Sequence, residues 1–598
     1  MSTLLSRRDL DFLLYEWLDV ESLVTRERFG EHSRETFDAV LDLSTSLAEK
    51  YFATHNKLAD AHEPSMRPDG TVQTLPEAKE AIDAYVAAGL ISGTFDDDLG
   101  GLQLPTSVAR AAMAWFQAAN AGTANYPFLT IANAGLLAAH GTTEQIDTYV
   151  RPMVEGRWFG TMCLSEPDAG SSLADITTRA VPQDDGTYRI TGNKMWISGG
   201  DHELTENIVH LVLAKVPGGG PGVKGISLFV VPKYLPDGAG GIGERNDVTL
   251  VGLNHKMGNR GTTNALLAFG DGTHAPAGHA GAVGHLVGEE HRGLTYMFHM
   301  MNEARIGVGL LATALGYTGY LKAVDYARTR IQGRPIGAKD PSAPGVPIIE
   351  HPDVRRMLLA QKTYVEGSLA LGLYCSRLVD EQSTAADAQV EADAALLLDV
   401  LTPVAKSWPS QWCLLANSLA IQVHGGYGYT REYDVEQHYR DNRLNPIHEG
   451  THGIQGLDLL GRKVIMQDGA GLRLVQGKVL HTAARAQATG GAAARHADAL
   501  VAVWQRIVEV TSSLWASGDP ASALANSSIY LEAFGHAVLA WIWLEQEIAC
   551  SGKTGDFYDG KRTAAHYFYV HELPKTGPQL DLLASQDRIT TDMQPAWF

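Results

Sequence analysis

The sequence predicts an α+β protein of several domains, ordered along the chain as helices, a β domain, helices and an appended helical unit. Apolar residues recur at helical spacing up to about residue 155, alternate as in strands from about 156 to 290, and return to helical spacing beyond 291. At roughly 150 residues per domain, a chain of 598 residues is long enough for about four domain-sized units. We therefore predict domains at 1–155, 156–290, 291–465 and 466–598.

Residues 1–155 carry a mostly helical signal, because EAKEAIDAYVAAGL and SVARAAMAWFQAANAG place apolar residues at i, i+3 and i+4. The opening stretch MSTLLSRRDLDFLLYEWLDV has charges within its apolar run and no small-residue cleavage site, which indicates an amphipathic helix and not a signal peptide. No run approaches the ~18 apolar residues of a membrane span, so we expect no transmembrane segment. The four cysteines have neither CxxC spacing nor the density of a disulfide framework, which favours a cytoplasmic location.

Residues 156–290 predict a compact antiparallel β domain, because TYRITGNKMWIS, NIVHLVLAKV and GISLFVVPKY are short β-branched and aromatic runs separated by turn clusters. Helical patterns return in MFHMMNEARIGVGLLATALGYTGYLKAVDYARTRIQ and continue to about residue 465, interrupted by the loop GRPIGAKDPSAPGVP. After GRKVIMQDGAG, further helical segments are broken by ATGGAAARHADA and ASGDPASALANSS. We interpret them as an appended helical domain.

The charge balance limits the partners of the chain. Its 48 Lys and Arg residues against 68 Asp and Glu residues give a formal net charge of −20. Such a field repels phosphate backbones, so we expect no nucleic-acid partner. A local basic groove for one phosphorylated ligand is compatible with this balance.

Two short motifs match known patterns without their structural context. Gly307–Ala312 fits the GxGxxA dinucleotide fingerprint, but helix-like sequence lies on both sides, and we expect small residues that let helices pack closely. His448–His452 fits the HExxH zinc motif, in which two His bind the metal from one helix face and the Glu acts as a base. Asn445, Pro446 and Gly450 make a continuous helix doubtful there, and the extended HxxGxxH form is absent.

Longer motifs carry a family resemblance. The block IQVHGGYGYTREYDVEQHYRDNRLNPIHEGTHGIQGLDLLGRK at 421–463 resembles the C-terminal signature of the acyl-CoA dehydrogenase family. MCLSEPDAGS from Met162 and GNKMWIS from Gly192 resemble its middle-domain signature, upstream and in order. MMNEARIGVG and YARTRIQGR fall between these blocks as the family would have them. The resemblance covers roughly residues 60–465, and the extensions on both sides look like the larger bacterial branch of about 600 residues.

The resemblance implies a helical N-terminal domain, a β-barrel-like middle domain, a four-helix-bundle C-terminal domain and FAD as cofactor. Glu449 corresponds to the catalytic base of the family, and Arg330 and Gln332 to positions that reach the FAD of a neighbouring subunit. The implied FAD contacts are Met162, Leu164, Ser165, Gly170, Ser171, Trp196, Ser198, Arg330, Gln332, His351, Gln422, Gly425, Gly426, Thr451 and Gly453. The implied substrate contacts are Ser171, Asn302 and Arg305.

The implied reaction is the α,β-dehydrogenation of a fatty acyl-CoA to a trans-2-enoyl-CoA by a homodimer, with electrons passed to an electron-transfer flavoprotein. No side chain accepts a hydride, so this chemistry needs a flavin. Glu449 would be a better base near neutral pH if burial raised its pKa. His448 stands where the family often has Tyr, and its charge would alter the pKa of Glu449. Two further positions depart from the family pattern. Ser172 stands where the family often has Asp or Glu, and RIQGR lacks one residue where the family has FG after Arg330.

Other interpretations of the same residues stay open. Trp196 would also suit an ordinary β-domain core, and Arg305 would also suit a helix ion pair with Glu303 or a neighbour. An acyl-CoA oxidase shares the chemistry but gives its electrons to oxygen. A non-catalytic flavoprotein of the DNA-damage-response branch would carry a basic C-terminal extension, whereas acidic residues slightly outnumber basic ones after residue 465. A zinc hydrolase built on HEGTH is the remote alternative.

Overall fold

The computed structural model describes residues 2–337, 339–340, 342–516 and 518–598. The chain divides into two compact units. The first consists of Met1–Ser33, Thr106–Ala114 and Arg305–Phe598, and the second of Arg34–Pro105 and Trp115–Ala304.

The second unit is built around an eight-stranded sheet. Its strands, numbered in chain order, are β1 (Trp158–Cys163), β2 (Arg179–Pro182), β3 (Tyr188–Ser198), β4 (Asn207–Lys215), β5 (Ile226–Pro232), β6 (Val248–Leu253), β7 (Asn264–Phe269) and β8 (Ala282–Val287). They lie in the order β6-β7-β3-β8-β5-β4-β1, with β2 paired to β3 and β4. Two-stranded ladders join Ser65–Met66 to Val72–Gln73 and Tyr234–Pro236 to Ile242–Arg245.

The prediction of an antiparallel domain is wrong for two strand pairs. β4 runs parallel to β1 from Asn207 to Val212, and parallel to β2 at one register position, Arg179 opposite Lys215. The other strand pairs of the sheet are antiparallel. Alternation in the sequence reports which side chains are buried and carries no information about strand direction.

The second unit also contains helices, as the pattern of residues 1–155 predicts, and the helix Ala121–His140 packs on the sheet. Gly160 in β1 lets the helix Ala121–His140 approach, because a Cβ there would lie 2.6 Å from the Asn133 Cβ atom. The Asn133 amide then donates to the carbonyl oxygens of Thr161 at 2.7 Å and Val209 at 2.9 Å, which fixes the helix on the sheet. The longer helices of this unit are Arg34–Leu47, Pro76–Ala87 and Ala121–His140.

The first unit is helical. Its bundle helices are Gly293–Thr329, which enters it at Arg305, Pro352–Thr384, Ala388–His424, Val435–Asn442 and His452–Asp458. The appended region contains Met466–Thr489, Gly491–Ala516, Pro520–Leu524, Ser527–Ala549, Asp556–Tyr567, Thr576–Ser585 and Ile589–Asp592. The predicted order of helices, β domain, helices and further helices is therefore confirmed.

Gly307–Ala312 lies inside the helix Gly293–Thr329, so the dinucleotide interpretation is wrong and the packing interpretation is confirmed. A Cβ on Gly309 would lie 1.9 Å from the carbonyl oxygen of Ala405, on the helix Ala388–His424. Only a residue without a side chain permits this helix contact.

A buried ionic cluster ties the N-terminal segment and the appended region to the bundle. The Lys561 ammonium pairs with Asp9 and lies 3.0 Å from a Glu366 carboxylate oxygen, and all three side chains are almost fully buried. Tyr317 donates to the second carboxylate oxygen of Asp9 at 2.9 Å. Among the residues that the structure describes, no helix has the length and apolar character needed to cross a membrane.

Candidate functional site

Glu449 lies on a tight turn between the helices Val435–Asn442 and His452–Asp458. Both Glu449 (φ +53°) and Gly450 (φ +84°) adopt left-handed backbone conformations, which reverse the chain direction. Thr451 begins the next helix, and its hydroxyl accepts a hydrogen bond from the Ile454 amide at 3.2 Å. The Gln455 side chain donates to the Glu449 carbonyl oxygen at 3.0 Å, so the turn is held from its own helix.

This turn removes the helical spacing on which the zinc interpretation depends. The His448 ring lies 2.9 Å from the Asn445 amide oxygen, and the His452 ring lies 2.5 Å from the Ser407 hydroxyl. Each ring nitrogen in these pairs already has a hydrogen-bond partner. In the described part of the chain, no group of three or more His, Cys, Asp and Glu residues could hold a metal ion.

The surroundings of the Glu449 carboxylate set its acidity. Burial raises the pKa of Glu449, while the charges of Arg305 and Lys406 oppose the rise. Burial, together with the charge of Lys406, lowers the pKa of His448 to about 3, so this ring is neutral near pH 7. The possibility that a charged His448 alters the pKa of Glu449 is therefore not realised.

Arg305 forms an ion pair, but with a residue of another helix and not with the helix neighbour that the alternative interpretation predicts. Its guanidinium lies 3.2 Å from a carboxylate oxygen of Asp458, at the end of the helix His452–Asp458. The partner is Asp458, 153 positions along the chain, and not Glu303. The pair brings the helix that carries Arg305 to the helix that follows Glu449.

A second group of predicted residues lines one cavity of about 670 Å³ within the first unit. The predicted residues in its wall are Arg330, Gln332, His351, Gln422, Gly425 and Gly426. No heavy atom lies within 4 Å of a Cβ position at either Gly425 or Gly426, so this wall is open backbone. The Arg330 guanidinium lies 5.7 Å from the centre of the Tyr427 ring, and the His351 ring lies 2.7 Å from the Gln332 carbonyl oxygen.

This cavity has the chemistry that a flavin dinucleotide requires on its diphosphate side. A guanidinium suits phosphate oxygens, and glycines allow backbone to approach them closely. The volume lies within the usual range of small-molecule sites, roughly 300–1,000 Å³. The residues present therefore fit the group that the family motifs imply.

The predicted flavin contacts of the β domain lie at the ends of two strands in the second unit. Met162 and Leu164 are half-buried at the end of β1 and pack on the core, and Ser165 accepts a hydrogen bond from the Met195 amide at 2.9 Å. Trp196, on β3, is 59% exposed and has a left-handed φ of +67°. The interpretation of Trp196 as ordinary core is therefore wrong. Ser198 accepts a hydrogen bond from the Asn264 amide at 3.3 Å.

The remaining predicted residues are distributed over both units. Gly170 and Ser171 are exposed on the loop after β1, and Asn302 is half-buried on the helix Gly293–Thr329. Thr451 and Gly453 lie at the start of the helix His452–Asp458, beside Glu449 in the chain.

Sequence reasoning missed two supporting groups. Lys194 and Glu166 form a buried ion pair at 3.0 Å beside the loop of Leu164 and Ser165, and Lys406 lies buried near Glu449. The sequence does contain a signal for the Lys194–Glu166 pair, because both residues lie within the family motifs. A lysine is also rarely buried unless it is paired. Lys406 had no comparable local signal, because its contacts lie 39 and 44 positions further along the chain.

Three family models and several nearly full-length relatives match this chain. Family models match residues 161–271 (acyl-CoA dehydrogenase, middle domain), 291–465 (acyl-CoA dehydrogenase, C-terminal domain) and 476–594 (acetyl-CoA dehydrogenase C-terminal like). The chain is 36% identical to 3-methylmercaptopropionyl-CoA dehydrogenase of Ruegeria pomeroyi, over 94% of each protein. It is 33% identical to the broad-specificity linear acyl-CoA dehydrogenase FadE5 of Mycobacterium tuberculosis, over 99% of each. The structure of Caenorhabditis elegans ACDH-11 in complex with C11-CoA has a similar fold, with a TM-score of 0.76 at 18% identity over 98% of this chain and 92% of that one.

Proposed function

Because the chain belongs to the acyl-CoA dehydrogenase family and is therefore an oxidoreductase of that type, we propose that it oxidises fatty acyl-CoA thioesters to trans-2-enoyl-CoA products. The single observation that carries the proposal is Glu449. Its carboxylate is held on a left-handed turn, and burial raises its pKa despite two nearby cations. A carboxylate in this state is suited to accept a proton from carbon.

Glu449 acts as the general base in this proposal. The α C–H bond of the thioester breaks, and its proton moves to the Glu449 carboxylate. A raised pKa strengthens the base towards a weak carbon acid, and such proton transfers contribute ~10²–10⁴-fold to the rate. FAD, when bound, supplies the acceptor for the hydride that leaves the β-carbon. The carbon–carbon double bond forms between these two positions.

We propose FAD contacts in each unit, and the two sets are described separately. The set in the first unit consists of Arg330, Gln332, His351, Gln422, Gly425, Gly426, Thr451 and Gly453. The set in the second unit consists of Met162, Leu164, Ser165, Gly170, Ser171, Trp196 and Ser198. The open wall at Gly425 and Gly426 and the exposed indole of Trp196 support this assignment.

The substrate and partners are also proposals. Ser171, Asn302 and Arg305 contact the CoA thioester, and an electron-transfer flavoprotein removes the electrons. The enzyme is a cytoplasmic homodimer, in which Arg330 and Gln332 reach the FAD of the neighbouring subunit. The proposed domain boundaries remain 1–155, 156–290, 291–465 and 466–598.

An anaerobic titration of the purified protein with acyl-CoA thioesters tests the function. The panel contains linear saturated chains of increasing length and 3-methylmercaptopropionyl-CoA, because the relatives' names give these two substrate classes. We expect some of them to bleach the visible flavin absorbance. Peroxide formed under air, with no reduction of an electron-transfer flavoprotein, would identify an oxidase instead.

The variant Glu449→Gln tests the base. We expect it to keep fold and flavin while flavin reduction slows by ~10²–10⁴-fold. Glu391→Gln, which removes an exposed carboxylate from the helix Ala388–His424, is the matched control. The wild-type rate should rise with pH through a pKa above the ordinary glutamate value, because the ionised form of Glu449 is the active one. Reduction of Glu449→Gln at the wild-type rate would rule out this role.

A further inference from the structure

Lys406 is a fully buried lysine beside the turn that carries Glu449. It lies on the helix Ala388–His424, and none of its surface is exposed. Its ammonium donates to the carbonyl oxygen of Asn445 at 2.8 Å and to that of Gly450 at 2.7 Å. These two carbonyls lie at the ends of the segment 445–450, so one ammonium joins both ends of the turn.

The backbone that carries Lys406 is itself fixed. Gly309 brings the helix Gly293–Thr329 against the carbonyl of Ala405, the residue before Lys406. At the other end, Glu449 and Gly450 have left-handed backbone conformations, which for the glutamate cost energy unless other contacts hold them. The two hydrogen bonds from Lys406 supply such contacts and satisfy two carbonyl groups.

We propose that Lys406 is a positioning residue for proton abstraction, because its ammonium clamps the turn 445–450 and thereby orients the Glu449 carboxylate. This inference rests on the proposed function of Glu449. Lys406 acts through the two backbone carbonyls to which its ammonium donates.

The charges around Lys406 are consistent with this role. Burial lowers the pKa of Lys406 to about 7, Glu449 opposes that change, and Arg305 adds to it. The His448 ring is neutral near pH 7, and Asp458 is paired with Arg305. Both the ammonium and the neutral amine carry at least two N–H groups, so both carbonyls retain a donor when Lys406 titrates.

The variant Lys406→Met removes the donors while keeping a side chain of similar length. Lys463→Met is the matched control, because Lys463 is also a buried lysine of the first unit but pairs with Asp399. Two measurements are made on each protein. One is the rate of flavin reduction by acyl-CoA in a single turnover across pH, with the Kd of the thioester. The other is hydrogen–deuterium exchange in the segment 445–452.

We expect Lys406→Met to reduce its flavin about 10- to 100-fold more slowly, with a Kd within about threefold of wild type, because misplacement of a base affects the chemical step. Exchange in 445–452 should become faster, and the acidic limb of the rate profile should move to higher pH because Glu449 loses a nearby cation. Lys463→Met should match wild type in all four readouts: reduction rate, Kd, exchange and the acidic limb of the rate profile. Wild-type reduction and exchange in Lys406→Met would overturn the inference.

The test of the clamp can fail independently of the test of the proposed function. If no thioester reduces the wild-type flavin, the proposed function fails, while the exchange measurement still judges the clamp. If Lys406→Met does not fold, Lys406→Gln, which keeps an N–H donor and loses the charge, is measured in the same two ways. We expect Lys406→Gln, whose side chain is one atom shorter, to reduce its flavin more slowly and to exchange faster than wild type in 445–452, and wild-type values of both would contradict the clamp.

Discussion

Replacing Lys194 with Met would break the buried ion pair beneath the Leu164–Ser165 loop. The Lys194 ammonium lies 3.0 Å from a Glu166 carboxylate oxygen and 2.9 Å from the Leu164 carbonyl oxygen, and both charged side chains are at most 4% exposed. Glu166 also accepts hydrogen bonds from the backbone and hydroxyl groups of Thr177 and Thr178. The variant therefore leaves a buried carboxylate that has hydrogen bonds but no cation.

The shifted pKa of Glu166 indicates how much stability the ion pair contributes. Burial raises this pKa, but the charge of Lys194 and hydrogen bonds from Thr177 and Thr178 outweigh burial and lower it from the ordinary 4.5 to about 2. At 1.36 kcal/mol per pKa unit, the shift corresponds to about 3 kcal/mol of stability near pH 7. Breaking a buried ion pair by removing one partner costs roughly 3–5 kcal/mol, a comparable figure. We therefore expect Lys194→Met to lose about 2–4 kcal/mol at pH 7.

The pH dependence distinguishes this mechanism from a simple loss of packing. Because the folded pKa of Glu166 is depressed, its contribution is complete above pH 4.5 and is lost as pH falls through about 2. The difference in the free energy of unfolding between wild type and Lys194→Met should therefore shrink between pH 7 and pH 3.

Urea unfolding and calorimetry at several pH values measure this difference. Lys79→Met is the control in the same unit, because Lys79 pairs with Asp83 on the surface and such pairs contribute roughly 0.3–0.5 kcal/mol. The double variant Glu166→Gln with Lys194→Met completes the cycle and should lose less than the two single variants combined. The ion-pair explanation would be wrong if Lys194→Met lost less than about 1 kcal/mol of unfolding free energy, or lost the same amount at pH 7 and pH 3.

Two further outcomes follow from the first unit. Gly309→Ala should lose roughly 1–3 kcal/mol of unfolding free energy, measured in urea, because the new Cβ would lie 1.9 Å from the Ala405 carbonyl oxygen. The higher helix preference of Ala, about 1 kcal/mol, is too small to compensate. An increase in stability would contradict the packing argument. Arg330→Met should weaken FAD binding about tenfold or more in equilibrium dialysis, because it removes a charge-assisted donor from the cavity wall, while the melting temperature of the apoprotein stays unchanged. Unaltered FAD affinity would remove Arg330 from the proposed site.

The order of helices and strands and the family motifs could be predicted from the amino-acid sequence alone. Hydrophobic periodicity separates the β domain from its helical neighbours, because helix and strand bury side chains at different intervals. The motif around Glu449 identified the candidate base, and Gly450 and Asn445 indicated that no continuous helix passes through it. The glycine pair Gly425–Gly426 predicted a close backbone approach to a diphosphate, and both residues line the cavity.

The residues that support the site are brought together by contacts that exist only in the folded chain. Arg305 pairs with Asp458, and Lys406 reaches carbonyls on both sides of Glu449, although these partners are remote in the chain. The parallel direction of β1 and β4 was likewise absent from the alternation pattern. Burial made His448 neutral, which its position in the sequence did not reveal. The physical reason is that periodicity reports how much of a side chain is buried, whereas partner, strand direction and pKa depend on which distant atoms the fold brings within a few ångströms.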